Sequence, residues 1–141
     1  MSFSAKRIMN GTFGELWLDG EKIAEVYKFQ AKKGFNKESV KIPGELMEDT
    51  KITSVKGKGS FAFYKVSSLM QKKLGDAIIN GQDKRFTIIE KLNDPDALGA
   101  ERKAYYGVSF DDLTESDWEA AVLGKVECPF TYTSSKYLDL V

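Results

Sequence analysis

Four short stretches of the chain carry residue types that could do chemistry. Lys56-Gly57-Lys58-Gly59-Ser60 has the glycine, lysine and hydroxyl composition of a loop that cradles phosphate. That use requires a glycine five positions before the Gly-Lys pair and a helix opening behind it. Position 52 is Ile52, and the sequence runs on as a strand, so a strand is the better reading. Asp94, Asp96 and Gly99 echo a calcium loop, but such a loop needs more oxygen ligands and a terminal glutamate at fixed spacing. Glu101 comes too soon, which leaves a turn. Asp111, Asp112, Glu115, Asp117 and Glu119 supply carboxylates for hydrolysis, yet nothing apolar is arranged to push one pKa above another. A solvated connection before a strand is therefore the better reading, and an electrostatic interface patch the second. Cys128 could be a nucleophile only with a base beside it. It lies in an apolar strand register, which suits a buried, inert thiol.

The composition closes further routes. The chain has no histidine, the side chain most used for proton transfer near neutral pH and the commonest metal ligand. A single cysteine excludes an internal disulfide and a cysteine-rich zinc site. Lysine plus arginine and aspartate plus glutamate balance at 21 each, so no global field recruits nucleic acid or a membrane. No apolar run has signal-peptide or membrane-spanning length. These features describe a soluble protein of a reducing compartment with no cofactor, no metal, no membrane anchor and no enzymatic constellation.

The elements that must hold these residues are mostly strands. At 141 residues the chain fits one domain, 1–141. Residues 1–12 are polar and irregular, an expected flexible arm. Leu16-Trp17-Leu18 leads into Asp19-Gly20, a dipeptide suited to a tight primed turn. Nothing from Glu21 to Lys33 breaks a strand pattern, and a strand so long must overhang its domain. Overhanging backbone needs a partner. Residues 34–52, with Pro43-Gly44, lack a period and read as a long inter-strand loop. In Thr53–Val66 the residues Val55, Gly57, Gly59, Phe61 and Phe63 alternate with Lys56, Lys58, Ser60 and Ala62. Glycines on the apolar side predict a close approach or a bend.

One helix is expected from Ser68, where Ser68 and Gln71 have capping-box spacing, to Gly81, a C-terminal glycine. Strands return at Arg85–Leu92 and Glu101–Phe110 around the turn residues Asn93 to Asp96. Trp118–Tyr132 alternates as one long strand, and the tail ends in apolar residues. Trp17, Trp118 and the phenylalanines read as core, with a few as interface anchors. The fold class is mostly β with one α-helix: an antiparallel β-barrel or two packed sheets, a flanking helix and a long loop.

Four segments carry a family pattern: Asn10–Lys32, Asp49–Ser68, Asn80–Arg102 and Val108–Val141. Over nearly its whole length the chain resembles the tail tube proteins of contractile-tailed phages, defective prophages and phage tail-like bacteriocins such as diffocins. The resemblance implies a barrel-like subunit that self-assembles into hexameric rings, with the rings stacked into a hollow tube inside a contractile sheath. It also implies tape-measure, baseplate and terminator partners, possible passage of DNA, and assembly in the bacterial cytoplasm before residence in a virion tail or released particle. The long loop would contact a neighbouring ring through Asn36, Lys37, Glu38, Pro43, Gly44 and Met47. Lys28, Gln30, Lys32, Lys56, Lys58 and Ser60, the polar strand faces, are expected to line the lumen, because a channel must stay wet. Type VI secretion inner tubes share the fold, and a monomeric ligand-binding β-barrel is the reading from a different class.

Overall fold

The computed structural model describes residues 2–141 and contains eight strands. They are β1 (Gly14–Leu18), β2 (Glu21–Lys22), β3 (Val26–Val40), β4 (Asp49–Tyr64), β5 (Phe86–Leu92), β6 (Glu101–Phe110), β7 (Lys125–Tyr132) and β8 (Ser134–Asp139). Every pairing is antiparallel, in the order β2-β1-β5-β6-β7-β4-β3, with β8 added beside β6. The ends of this order do not meet, so the sheet is an open barrel with free edges at β2/β1, β3 and the outer side of β8.

Its two halves are joined by a bend in β6. Residues Arg102 to Tyr106 pair with β8, whereas Ser109 and Phe110 pair with β7. Between them Gly107 has φ +63°, and a Cβ there would collide with the side chain of Thr133. Thr133 sits at the corner between β7 and β8, and its backbone amide and hydroxyl both donate to the Tyr106 carbonyl, at 3.0 and 3.2 Å. Two strands thus change sheet at one point, the usual way to turn a corner in a folded-over sheet.

The core lies inside the fold. Leu16, Leu18, Phe61, Phe63, Ile88, Val108 and Phe130 are buried, and aromatic rings fill the centre. Phe86 and Phe110 meet at 5.2 Å, Tyr105 and Tyr132 at 5.0 Å, both edge-on. The expected glycine approach is real. Gly57 and Gly59 stand opposite Tyr132 and Phe130 across the β4–β7 ladder. A Cβ on either would lie about 2.6 Å from the facing ring, so the glycines make room for the aromatics.

Several expected boundaries move. The strand from Glu21 to Lys33 breaks at 23–25, where the Ile23 amide donates to the Leu16 carbonyl and the chain crosses between sheets. The loop at 34–52 shrinks to 41–48, because 34–40 and 49–52 pair with each other as strand. Cross-strand partners stand in for the missing period there. Trp118–Tyr132 is strand only from Lys125; 118–124 is irregular and Trp118 is exposed, since no neighbouring strand pairs with it. The arm is tied down: Arg7 donates to the Asp96 carbonyl and the Asn10 amide donates to Asp94. Asp19-Gly20 does form the primed turn, at φ 50° and 83°.

The helical segment 69–79 contains a wide π turn, Gln71–Gly75, before the α turn Asp76–Ile79. Met70 and Leu74 pack inward, and Gly81 (φ +71°) closes the end. Ser68 makes no side-chain cap; Gln71 instead donates its amide to the carbonyls of Thr114 and Glu115.

Candidate assembly interface

β3 and β4 form the longest ladder, 15 and 16 residues. The third strand, β7, accompanies β4 only as far as Gly57, opposite Tyr132. Beyond that point Asp49–Lys56 and 34–40 project as a two-stranded hairpin, which at ~3.3 Å per residue reaches roughly 25 Å past the body. A hairpin alone is marginal in water. This one is exposed throughout and carries Phe35, Val40, Ile52 and Val55 on its strands and Ile42, Leu46 and Met47 at its tip.

The register brings the sequence-derived lumen set together. Gln30 faces Ser60, Lys32 faces Lys58, Lys56 faces Gly34 and Lys28 faces Ala62. Alternation therefore puts all six on one face of the ladder, away from the buried Phe61 and Phe63. Lys32 and Lys58 stand directly opposite one another, an arrangement that costs stability. The second set is divided. Pro43, Gly44 and Met47 are in the tip, whereas Asn36, Lys37 and Glu38 belong to β3.

The stretches that could have done chemistry are used structurally. Lys56–Ser60 is mid-strand in β4. Asp94 is buried, with its carboxylate accepting from the amides of Asn10 and Asp96, each at 2.9 Å. Cys128 is buried in β7, and that burial pushes its thiol up to about 12. Burial also raises the carboxyl of Glu90, against the pull of Lys103; its hydrogen-bond donor is the Tyr105 hydroxyl at 3.4 Å. The barrel interior is packed with rings, and hollows of about 330 and 310 Å³ lie at the open seam, between β1 and β3. Sequence reasoning took 111–117 as a solvated connection, and what it missed is that the connection continues through 118–124, with Trp118, Val122 and Leu123 exposed. The run of Asp, Glu, Ser and Thr over 111–117 was its signal, and the chance alternation after Trp118 concealed it.

An overlong exposed hairpin and free sheet edges at β2/β1, β3 and β8 are the features of the described residues that a single copy leaves unsatisfied. The family model for phage tail tube proteins matches residues 1–139. This chain belongs to the phage tail tube protein family. The phage-like element PBSX protein XkdM of Bacillus subtilis (strain 168) is 35% identical over 135 residues, covering 94% of this chain and 91% of that protein. Among solved structures, a chain of the sheath–tube complex of the extracellular contractile injection system PVC superposes with a TM-score of 0.71 at 10% identity, covering 99% and 100% of the two chains. A chain of the sixfold-symmetrised anti-feeding prophage baseplate gives 0.65 at 9% identity, covering 89% and 90%. The role of this phage tail tube protein is structural rather than enzymatic, and its place is the tail of the particle.

Proposed function

We propose that this tail tube protein self-assembles into hexameric rings that stack as the inner tube of a contractile particle. The observation that carries the reading is the two-stranded overhang, an apolar-studded ladder with a free β3 edge that one subunit leaves unpaired. Pairing such edges around a closed ring removes them. The sixfold symmetry of the baseplate whose chain shares this fold supports six as the ring number.

In that ring the face bearing Lys28, Gln30, Lys32, Lys56, Lys58 and Ser60 lines the lumen, and the tip with Pro43, Gly44 and Met47 reaches the neighbouring ring. A clustered lysine row would grip the phosphates of DNA tightly, so passage of DNA requires that glutamates such as Glu127 of β7, across from Ala62, offset it. The outside meets a sheath, and the tube ends meet baseplate, terminator and tape-measure proteins. Assembly takes place in the bacterial cytoplasm, before residence in the virion tail or released particle. Negative-stain microscopy of the concentrated protein tests the reading. Rings or tubes are expected; monomers holding a small molecule at the β1–β3 seam would replace it with the ligand-binding alternative.

A further inference from the structure

Two exposed apolar patches lie at opposite ends of β7, and no residue described covers either one. The first is the core-side face of the overhang. There Lys33 faces Gly57, Phe35 faces Val55, Lys37 faces Ile52 and Ser39 faces Thr50. Phe35, Val55 and Ile52 are 55%, 55% and 50% exposed, and these eight positions hold two lysines and no carboxylate. At the base of this face a groove of about 770 Å³ runs between Val55 and Gly57 on one wall and Tyr132, Ser134 and Ser135 on the other. The Lys33 ammonium stands 5.5 Å from the Tyr137 ring centre nearby.

The second patch is the segment 111–124, which leads into β7 at the far end, where the Lys65 amide donates to the Gly124 carbonyl. Trp118 is 85% exposed, Leu123 76% and Val122 57%. Around them are Asp111, Asp112, Glu115, Asp117 and Glu119, with no cation in the segment. Gln71 holds the segment in place through Thr114 and Glu115.

We propose that the Trp118 segment of one copy docks on the core-side face of the overhang of the next copy along the strand direction. Trp118 enters the groove beside Val55 and Tyr132, and Lys33 and Lys37 meet the carboxylates of Asp117 and Glu119. Each patch supplies what the other lacks, apolar to apolar and cation to anion, and a large aromatic in a pocket is the commonest energetic anchor of an interface. Because the patches differ, the contact is head-to-tail, and because they sit at opposite ends of β7 it repeats copies along the strand direction rather than around it. It therefore joins successive rings, leaving the free β3 edge for neighbours within a ring. The existence of a next copy rests on the tube reading above; the choice of contact rests on the two patches.

The test uses the full chain. Lys33→Glu with Lys37→Glu, and separately Asp117→Lys with Glu119→Lys, should each raise the subunit concentration needed for tubes about tenfold, a loss of ~1.4 kcal/mol per contact. The four changes combined should restore it. In a Trp17→Phe background Trp118 is the sole tryptophan, and its emission should shift to the blue on assembly. Failure of the combined variant to recover, with the fold intact by circular dichroism and rings still visible, overturns the docking. An unshifted Trp118 in tubes also overturns it and assigns Trp118 to a different protein, such as a sheath. Wild-type protein that forms rings but never stacks sinks the docking alone; protein that forms no rings sinks the tube reading.

Discussion

Cys128 shows how environment, rather than residue type, settles reactivity. Its thiol is raised to about 12 by burial first and by the charges of Asp112 and Glu127 after it, so the thiolate fraction near neutral pH is negligible. Folded protein should resist an aromatic disulfide reagent at about pH 8, and full reaction should appear only on denaturation. Gly59 is the opposite case, a residue whose value is the atom it lacks. A methyl there would meet the Gln30 carbonyl oxygen and the Phe130 ring at about 2.5 and 2.6 Å. Gly59→Ala should cost about 1–3 kcal/mol, read as a lower denaturation midpoint. Glu90 gives a pH signature. Its folded-state pKa is raised, chiefly by desolvation, so the folded chain holds that proton more tightly than the unfolded one. The stability it contributes is complete below the unfolded pKa and is lost as pH rises through the folded value. Glu90→Gln should therefore be more stable than wild type at about pH 7, with the gap closing as pH falls toward about 4.

Among the elements, β4 was the most legible, because alternation and the two glycines both announce a face packed on rings. The primed turn at Asp19-Gly20 and the closing Gly81 were legible for the same reason: positive φ leaves a local mark in sequence. The overhang was harder. From Gly34 to Ile52 the hairpin is exposed on both faces, so no buried side imposes a period, and a strand without a period reads as a loop. The 118–124 segment failed in the other direction, alternating without any partner strand to pair with. Hydrogen exchange separates the two kinds of backbone. In isolated subunits the tip at 41–48 should exchange at the fastest rates while Phe61 to Phe63 stay protected, and the overhang between them should slow down on assembly. The β3 edge invites a sharper test. Successive amides of an edge strand point alternately to the partner and outward, so Gln30→Pro and Ala31→Pro should differ. One should weaken the fold; the other should keep it, by circular dichroism, and abolish rings. If both fold and assemble normally, pairing through this edge is not what joins neighbours.

At the scale of the whole molecule the charge is balanced in total and segregated in place. The β3–β4 hairpin, 26–64, carries eight lysines against four acidic residues, while 111–124 has five acidic residues and no cation. Raising ionic strength should therefore weaken stacking more than it weakens the fold, because exposed charges are screened while buried rings are not. Sedimentation of tubes across a salt series, with circular dichroism alongside, measures the difference. Equal sensitivity of both signals would show that stacking does not depend on this segregation.

On the tube reading proposed above, the overhang also sets how fast a tube can begin. A lone subunit holds some 25 Å of two-stranded ladder without a third strand, so the first few subunits to meet must order two marginal hairpins for a single new seam. Each later arrival lands on a template already in place. Growth of this kind has a rare, slow start and quick elongation, the logic of a helix with a costly first turn. Light scattering from purified subunits should show a lag that shortens steeply with concentration and vanishes when sheared tubes are added as seeds. Such a threshold would keep free subunits from polymerising at random and let a tube begin only where a template already stands.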